Sequence, residues 1–187
     1  MAHTEGYLTK ASGNFGSHAE GNKTWAAGAS AHAEGESTQA TGQYGAHAEG
    51  LSTIASHTAS HAEGGYNTAS GPYSHVEGRS NEATEARAHA EGFQTKARGV
   101  NSHAEGVNSV ASGSSAHAEG ESTTASGTNS HAEGKETQAI GQRAHVEGNS
   151  SIVEGINSHA EGYSNRISDT SNNTHAEGHS NVIDVQY

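Results

Sequence analysis

The chain has 187 residues, 25 of them Gly and none Cys, and a formal charge of −12 with His neutral. Leu, Ile, Val and Phe together number only 18, so a conventional large-residue core is excluded, as are disulfides and thiol chemistry. The acidic balance speaks against nucleic acid as a partner, and no apolar run approaches the length of a membrane-spanning helix.

Composition of this kind ordinarily reads as disorder, but an internal period overrides it. The chain starts inside a repeat, at Met1-Ala2-His3-Thr4-Glu5-Gly6, without a signal-peptide pattern. From there His-x-Glu-Gly recurs thirteen times, at His3, His18, His32, His47, His61, His75, His89, His103, His117, His131, His145, His159 and His175. Eleven of the twelve intervals are 14 or 15 residues and the last is 16. A clean copy is His117–Ser130, HAEGESTTASGTNS. Its halves, Ser130-His131-Ala132-Glu133-Gly134 and Thr123-Thr124-Ala125-Ser126-Gly127, share a small-x-Ala-x-Gly pattern. The pattern predicts two short strands per coil.

A period of seven invites a coiled coil. That reading fails because the repeated positions hold Ala, Ser, Thr and Gly rather than large apolar residues, and a Gly per heptad would cost a helix about 1 kcal/mol each. Alternating five-residue segments closed by Gly turns predict a parallel β-solenoid with 14-residue coils. At about 4.8 Å per coil, thirteen coils span roughly 60 Å. One repeat domain over 1–187 is expected, as a piece of a longer fibrous protein.

Along the chain, extra residues at Phe15-Gly16, Tyr44-Gly45 and Asn172-Asn173 predict turn insertions on one edge. His57 and Glu85 replace the second-strand Gly and predict looser or differently shaped turns. The last segment, Asn181-Val182-Ile183-Asp184-Val185-Gln186-Tyr187, is more apolar and suits a cap or the entry to a following domain.

Side chains alternate along a strand, so Ser130 and Ala132 share the inner face while His131 and Glu133 point out. The column containing Thr123 runs Thr9, Thr24, Thr38, Thr53, Asn67, Asn81, Thr95, Ser109, Thr137, Ser151, Asn165 and Asn181. It predicts an internal polar ladder bonded from coil to coil. The column of Thr124 mixes Lys10, Trp25, Gln39, Ile54 and Arg166 and reads as a solvent face. The His and Glu columns do not vary at all, which points to a geometric constraint such as a partner surface. A thin Ala-Ser interior also buries too little apolar area to fold well alone. Self-association is therefore expected, and a homotrimer would set one constant face of each chain on a shared axis.

Ser17-His18-Ala19-Glu20-Gly21 and its companions resemble the head repeats of YadA-like trimeric autotransporter adhesins, whose half-units read Ser-x-Ala-x-Gly. HAEG-rich repeats are also similar to segments of phage and prophage tail fibres. The resemblance covers essentially the whole chain. It implies a left-handed parallel β-roll, trimeric, in an adhesin head or tail fibre, extracellular or on a cell or virion surface. In that family Val and Ile face the trimer interior, whereas this chain has His and Glu there. Carried over, the trimer-interface ladder is His18, Glu20, His32, Glu34, His47, Glu49, His61, Glu63, His75, Glu77, His89, Glu91, His103, Glu105, His117, Glu119, His131, Glu133, His145, Glu147, His159, Glu161, His175 and Glu177. The family's stalk heptads and membrane anchor have no counterpart in these residues, so no membrane insertion by this chain is expected.

Protonating the thirteen column His would move the formal charge from −12 to +1. Two readings of the columns stand side by side. One is a structural His-Glu ladder, in which Glu raises the His pKa and assembly weakens at high pH. The other is a metal site for Zn or Fe built from the same His column. Catalysis is not expected, because a catalytic site needs one distinctive constellation and here every coil repeats the same pair. Trp25, Tyr44, Tyr66, Tyr73 and Phe93 lie near turns, where rings can stack on a glycan, a matrix protein or a host-surface receptor. An outward, flat Thr array, as an ice-binding surface needs, is not expected.

Overall fold

In the computed structural model, residues 2–184 are described. The expected terminal cap reaches Val185–Tyr187, which lie outside them. The chain is a parallel β-solenoid of about 13 turns with coils of about 14 residues, and among the described residues every regular element is a strand. Contacts divide it into two units, residues 1–94 and 95–187.

In the first unit the His-bearing strands run His3–Tyr7, His18–Asn22, His32–Glu36, His47–Leu51, His61–Gly65, His75–Val76 and His89–Ala90. Each pairs in parallel with the next at zero offset, so His18 meets His32, Ala19 meets Ala33 and Glu20 meets Glu34. Two-residue strands from Lys10–Ala11 to Glu82–Ala83 form the opposite wall in the same way. The second unit repeats the plan, with His strands from His103–Val107 to His175–His179 and short strands from Lys96–Ala97 to Val182–Ile183.

The two walls close on a thin interior. Ala118, Ala125, Ala132 and Ala139 are fully buried, as alternation predicts. The interior widens only at Val76 in the first unit and at Val146, Val153 and Ile167 in the second. The predicted polar ladder is inside, from Thr24 to Asn165, but only parts of it bond from coil to coil. Thr123 Oγ1 donates to Ser109 Oγ at 3.0 Å. The Asn81 amide donates to Asn67 Oδ1 at 2.8 Å, and Asn81 Nδ2 reaches the Gly92 carbonyl at 2.8 Å. Thr53 and Thr137 instead donate to backbone carbonyls of their own coils, those of Glu49 and Glu133. The Thr24 and Thr38 hydroxyls are buried without a partner.

Backbone hydrogen bonds explain how each coil turns. Most amides bond forward, as His117 N does to Ser130 O at 2.9 Å and Thr124 N to Thr137 O at 2.9 Å. Twice per coil a non-Gly residue takes a left-handed conformation, such as Ser122 (φ 58°) and Asn129 (φ 56°). There the amide turns round and bonds backward, Ser122 N to Val107 O at 2.8 Å and Asn129 N to Ser114 O at 2.9 Å. Small polar residues dominate these positions because they tolerate this region better than bulky ones.

The two glycines of each coil have different tasks. Gly120 does adopt positive φ, 108°. Gly127 does not; on its backbone a Cβ would collide with the carbonyl oxygen of Gly141, although His57 and Glu85 fill the equivalent position in two other coils. Sequence reasoning assigned turn formation to both. The turns at His57 and Glu85, expected to be looser, keep the common plan: Ala59 and Arg87 are left-handed and bond backward to Gln43 O and Pro72 O at 2.9 Å each. The turn is held by main-chain bonds, which the side chain does not alter. At His57 the ring even joins it, Nδ1 accepting from Thr58 N at 2.8 Å.

Candidate functional site

Zero-offset parallel pairing places like on like, so within each unit the predicted His and Glu residues form two stacked outer columns. The ladder residues named from the sequence lie on the His strands, except Glu77 and Glu91, which directly follow the two-residue strands His75–Val76 and His89–Ala90. Consecutive imidazoles stand 4.6–4.9 Å apart, centroid to centroid.

The columns differ between units. In the first, rings tilt by 28°, 27° and 29° over the first three steps, where Gly16 and Gly45 lengthen the coils just ahead of His18 and His47. Each carboxylate there meets the imidazole of its own coil: His18–Glu20 at 3.3 Å, His32–Glu34 at 3.4 Å, His61–Glu63 at 3.4 Å. In the second unit, across uninterrupted 14-residue coils, rings from His103 to His145 lie within 2° of parallel. Here carboxylates also reach the next coil. Glu119 stands 3.9 Å from His117 Nε2 and 3.3 Å from His131 Nε2, and Glu147 stands 3.7 Å from His159 Nε2. The stack breaks at His175, tilted by 55° after the 16-residue coil.

The electrostatics follow from the spacing. Imidazoles one coil apart disfavour each other's protonation. Burial, and then neighbouring His charge, push the pKa of His47, His75, His117 and His145 below the ordinary 6.5, against the opposing pull of Glu. This overturns, at those four positions, the expectation that Glu pairing raises the His pKa. The expectation weighed the carboxylate alone; stacking adds two like charges and desolvation.

Carboxyl groups of neighbouring coils hydrogen-bond to one another and shift each other's pKa in opposite directions. Burial raises Glu133, and so does its hydrogen bond to Glu119. A hydrogen bond to Glu147 raises Glu161 before burial does. Glu119 is pushed up by burial, but hydrogen bonds from Glu105 and Glu133, with His117 and His131, hold it below the usual range. Glu147 is lowered, first by its hydrogen bond with Glu161. Lowered and raised carboxyl pKa values therefore alternate from Glu119 to Glu161. In the first unit Glu77 is raised by its hydrogen bond with Glu91, then by burial and by Glu63. Glu133, Glu147, Glu161 and Glu177 line an open groove of about 460 Å³.

Several imidazole Nε2 atoms, among them those of His47, His117 and His145, are shut off from solvent without a hydrogen-bond partner. Trios such as His117–Glu119–His131 and His131–Glu133–His145, and Glu63–His75–Glu77 in the first unit, bring three donor atoms within 4.8 Å of one another.

Of the aromatic residues singled out, Tyr44, Tyr66 and Tyr73 are well exposed, whereas Trp25 and Phe93 are covered in part. Lys10 lies over the Trp25 ring at 5.3 Å and Arg79 over Phe93 at 6.0 Å. Sequence reasoning missed Phe15, the most exposed large apolar side chain at 85 %, and Tyr163, stacked on His179 at 4.9 Å. Residues one coil apart are neighbours, and reading the sequence at that spacing brings both cation–ring pairs and the Tyr163–His179 stack together.

Fold and site together define a repeat module, a parallel β-solenoid with a small-residue interior and an outer His-Glu double column. Residues 104–130 and 118–144 each match the YadA head domain repeat. This stretch is thus similar to YadA head repeats, and no curated protein matches the chain.

Proposed function

We propose that this chain is one repeat domain of a homotrimeric extracellular fibre, an adhesin head or a tail-fibre segment on a cell or virion surface. Its coils wind left-handed, and its His and Glu columns face the threefold axis. The observation that carries this reading is the double column itself, repeated in every coil and half-buried away from the ends, in which several Nε2 atoms, such as those of His47, His117 and His145, lack hydrogen-bond partners. A buried nitrogen without a partner is costly, and carboxylates from two neighbouring copies would supply partners. The match to YadA-like head repeats supports the same placement, because these positions are the family's inward-facing ones. The role is structural and adhesive rather than catalytic, since nothing distinguishes one coil's His-Glu pair as a reaction centre. The exposed Tyr44, Tyr66 and Tyr73 offer stacking surfaces for a glycan, a matrix protein or a host-surface receptor.

Sedimentation equilibrium of the chain tests the assembly. Three times the 19.0 kDa chain mass is expected. The natural chain has no cysteine, so His117→Cys should give inter-chain disulfides under oxidation, whereas Thr124→Cys, on the other wall, should not. A monomer at all concentrations, or equal cross-linking at both positions, rejects the axial placement.

A further inference from the structure

We propose that the second unit binds two divalent transition-metal ions per chain, one between His117, Glu119 and His131 and one between His145, Glu147 and His159. Neutral imidazoles with a carboxylate form a donor set suited to Zn²⁺. With metal–ligand bonds of about 2.0–2.1 Å, donors around a four-coordinate ion stand about 3.3 Å apart. Glu119 Oε1 is already 3.3 Å from His131 Nε2, while Glu119 Oε2 is 3.9 Å from His117 Nε2. The two stacked rings stand 4.8 Å apart, centroid to centroid, so both imidazoles as well as the carboxylate turn toward the ion on binding.

Two further observations select these positions. The Nε2 atoms of His117, His145 and His159 are buried and lack hydrogen-bond partners, the condition an ion would relieve. Glu119 and Glu147 both reach forward to the imidazole of the following coil, His131 at 3.3 Å and His159 at 3.7 Å. The two sites use separate ligands and lie two coils apart. Filling every coil would halve the separation between dications and double their repulsion.

All three ligands of a site come from one chain, so the inference does not rest on threefold assembly. The test is titration of tag-free protein with Co²⁺, whose visible absorption reports coordination, followed by displacement with Zn²⁺. Light scattering on the same samples reads the oligomeric mass separately. Saturation at two Co²⁺ per chain with a four-coordinate spectrum is expected, falling to one in Glu119→Gln. His57→Gln/His179→Gln, which removes the two His outside the column, should leave the stoichiometry at two. Circular dichroism checks that each variant stays folded, and His131→Gln offers a second route to losing the first site. No binding, one ion per coil, or a stoichiometry unchanged in both Glu119→Gln and His131→Gln overturns the proposal. Metal binding by a monomer would reject only the trimer, and a trimer without metal only this inference.

Discussion

The two units are built from the same fourteen-residue text, yet their outer columns are ordered differently. In residues 1–94 the first imidazoles are fanned by almost 30° and Glu20 and Glu34 pair with the imidazoles of their own coils; in residues 95–187 most rings are parallel and Glu119 bridges two coils. Single-residue insertions account for only part of it: the His3–His18 and His32–His47 steps carry one, yet His18–His32 tilts by 27° and His61–His75 by 41° across uninterrupted 14-residue coils. Gly16 and Gly45 enter just before a His strand, and Asn172-Asn173 precede the tilted His175. An insertion leaves the ladder paired but rotates what stands on it. Backbone register in a solenoid is therefore robust where side-chain geometry is not, and chemistry that needs aligned side chains belongs in the uninterrupted stretch.

The largest expected effect separates a crowded position of the coil from an open one. Gly127→Ala should destabilise the second unit by about 3 kcal/mol or more, because its Cβ meets backbone rather than a movable side chain. Gly65→Ala in the first unit, with nothing within 4 Å of the new Cβ, should stay within about 0.5 kcal/mol. Urea denaturation of the two variants measures both. Next in size, Ile167→Ala should cost about 2–5 kcal/mol by emptying the widest part of the second interior.

The polar ladder gives a contrast inside the first unit. Asn81→Ala removes donors to Glu77 O and Gly92 O and should cost about 1–3 kcal/mol. Thr38→Val removes a buried hydroxyl without a partner and should be neutral or stabilising. Thermal melts that rank the two in the opposite order would refute this account of the ladder.

Both units share an acid response. His47, His75, His117 and His145 have folded-state pKa values below 6.5, so the fold binds fewer protons than the unfolded chain near that pH. Their contribution is intact above about pH 6.5 and is lost as the pH falls through the folded values. Assigned imidazole resonances should titrate below 6.5 at these four positions, and the melting temperature should drop between pH 7 and pH 5. The smallest effect is on geometry alone. Deleting Gly16 and Gly45 should reduce the tilts of the His3–His18 and His32–His47 steps that they lengthen, seen in imidazole ring-current shifts, with little change in stability.

The period, the two walls and the contents of each column were legible in the sequence, because alternation and repetition are one-dimensional. Ala132 inside and His131 outside follow from counting. What was not legible depends on the distance between coils. That Gly127 answers a neighbouring carbonyl rather than its own φ needs the stacking distance. So does the direction of the His pKa, which turns on imidazoles fourteen residues away. The opposite pKa shifts of Glu119 and Glu133 are hidden for the same reason, since every Glu reads identically in the text. The left-handed Ser122 and Asn129 carried a faint signal, a bias toward small polar residues, diluted by Tyr44, Tyr66 and Arg143 at equivalent turns.

Amides that bond forward along most of a coil and backward at two points tie each coil to the ones before and after it, at separations near fourteen residues. Within a unit such a chain should fold like a zipper. Closing one loop of modest length templates the next, so growth can start at any coil and needs no distant contact. Amide exchange should then be slowest in the middle of a run of equal coils and quicken toward its frayed ends, and a gene that gains or loses one fourteen-residue unit should set the chain no new folding problem.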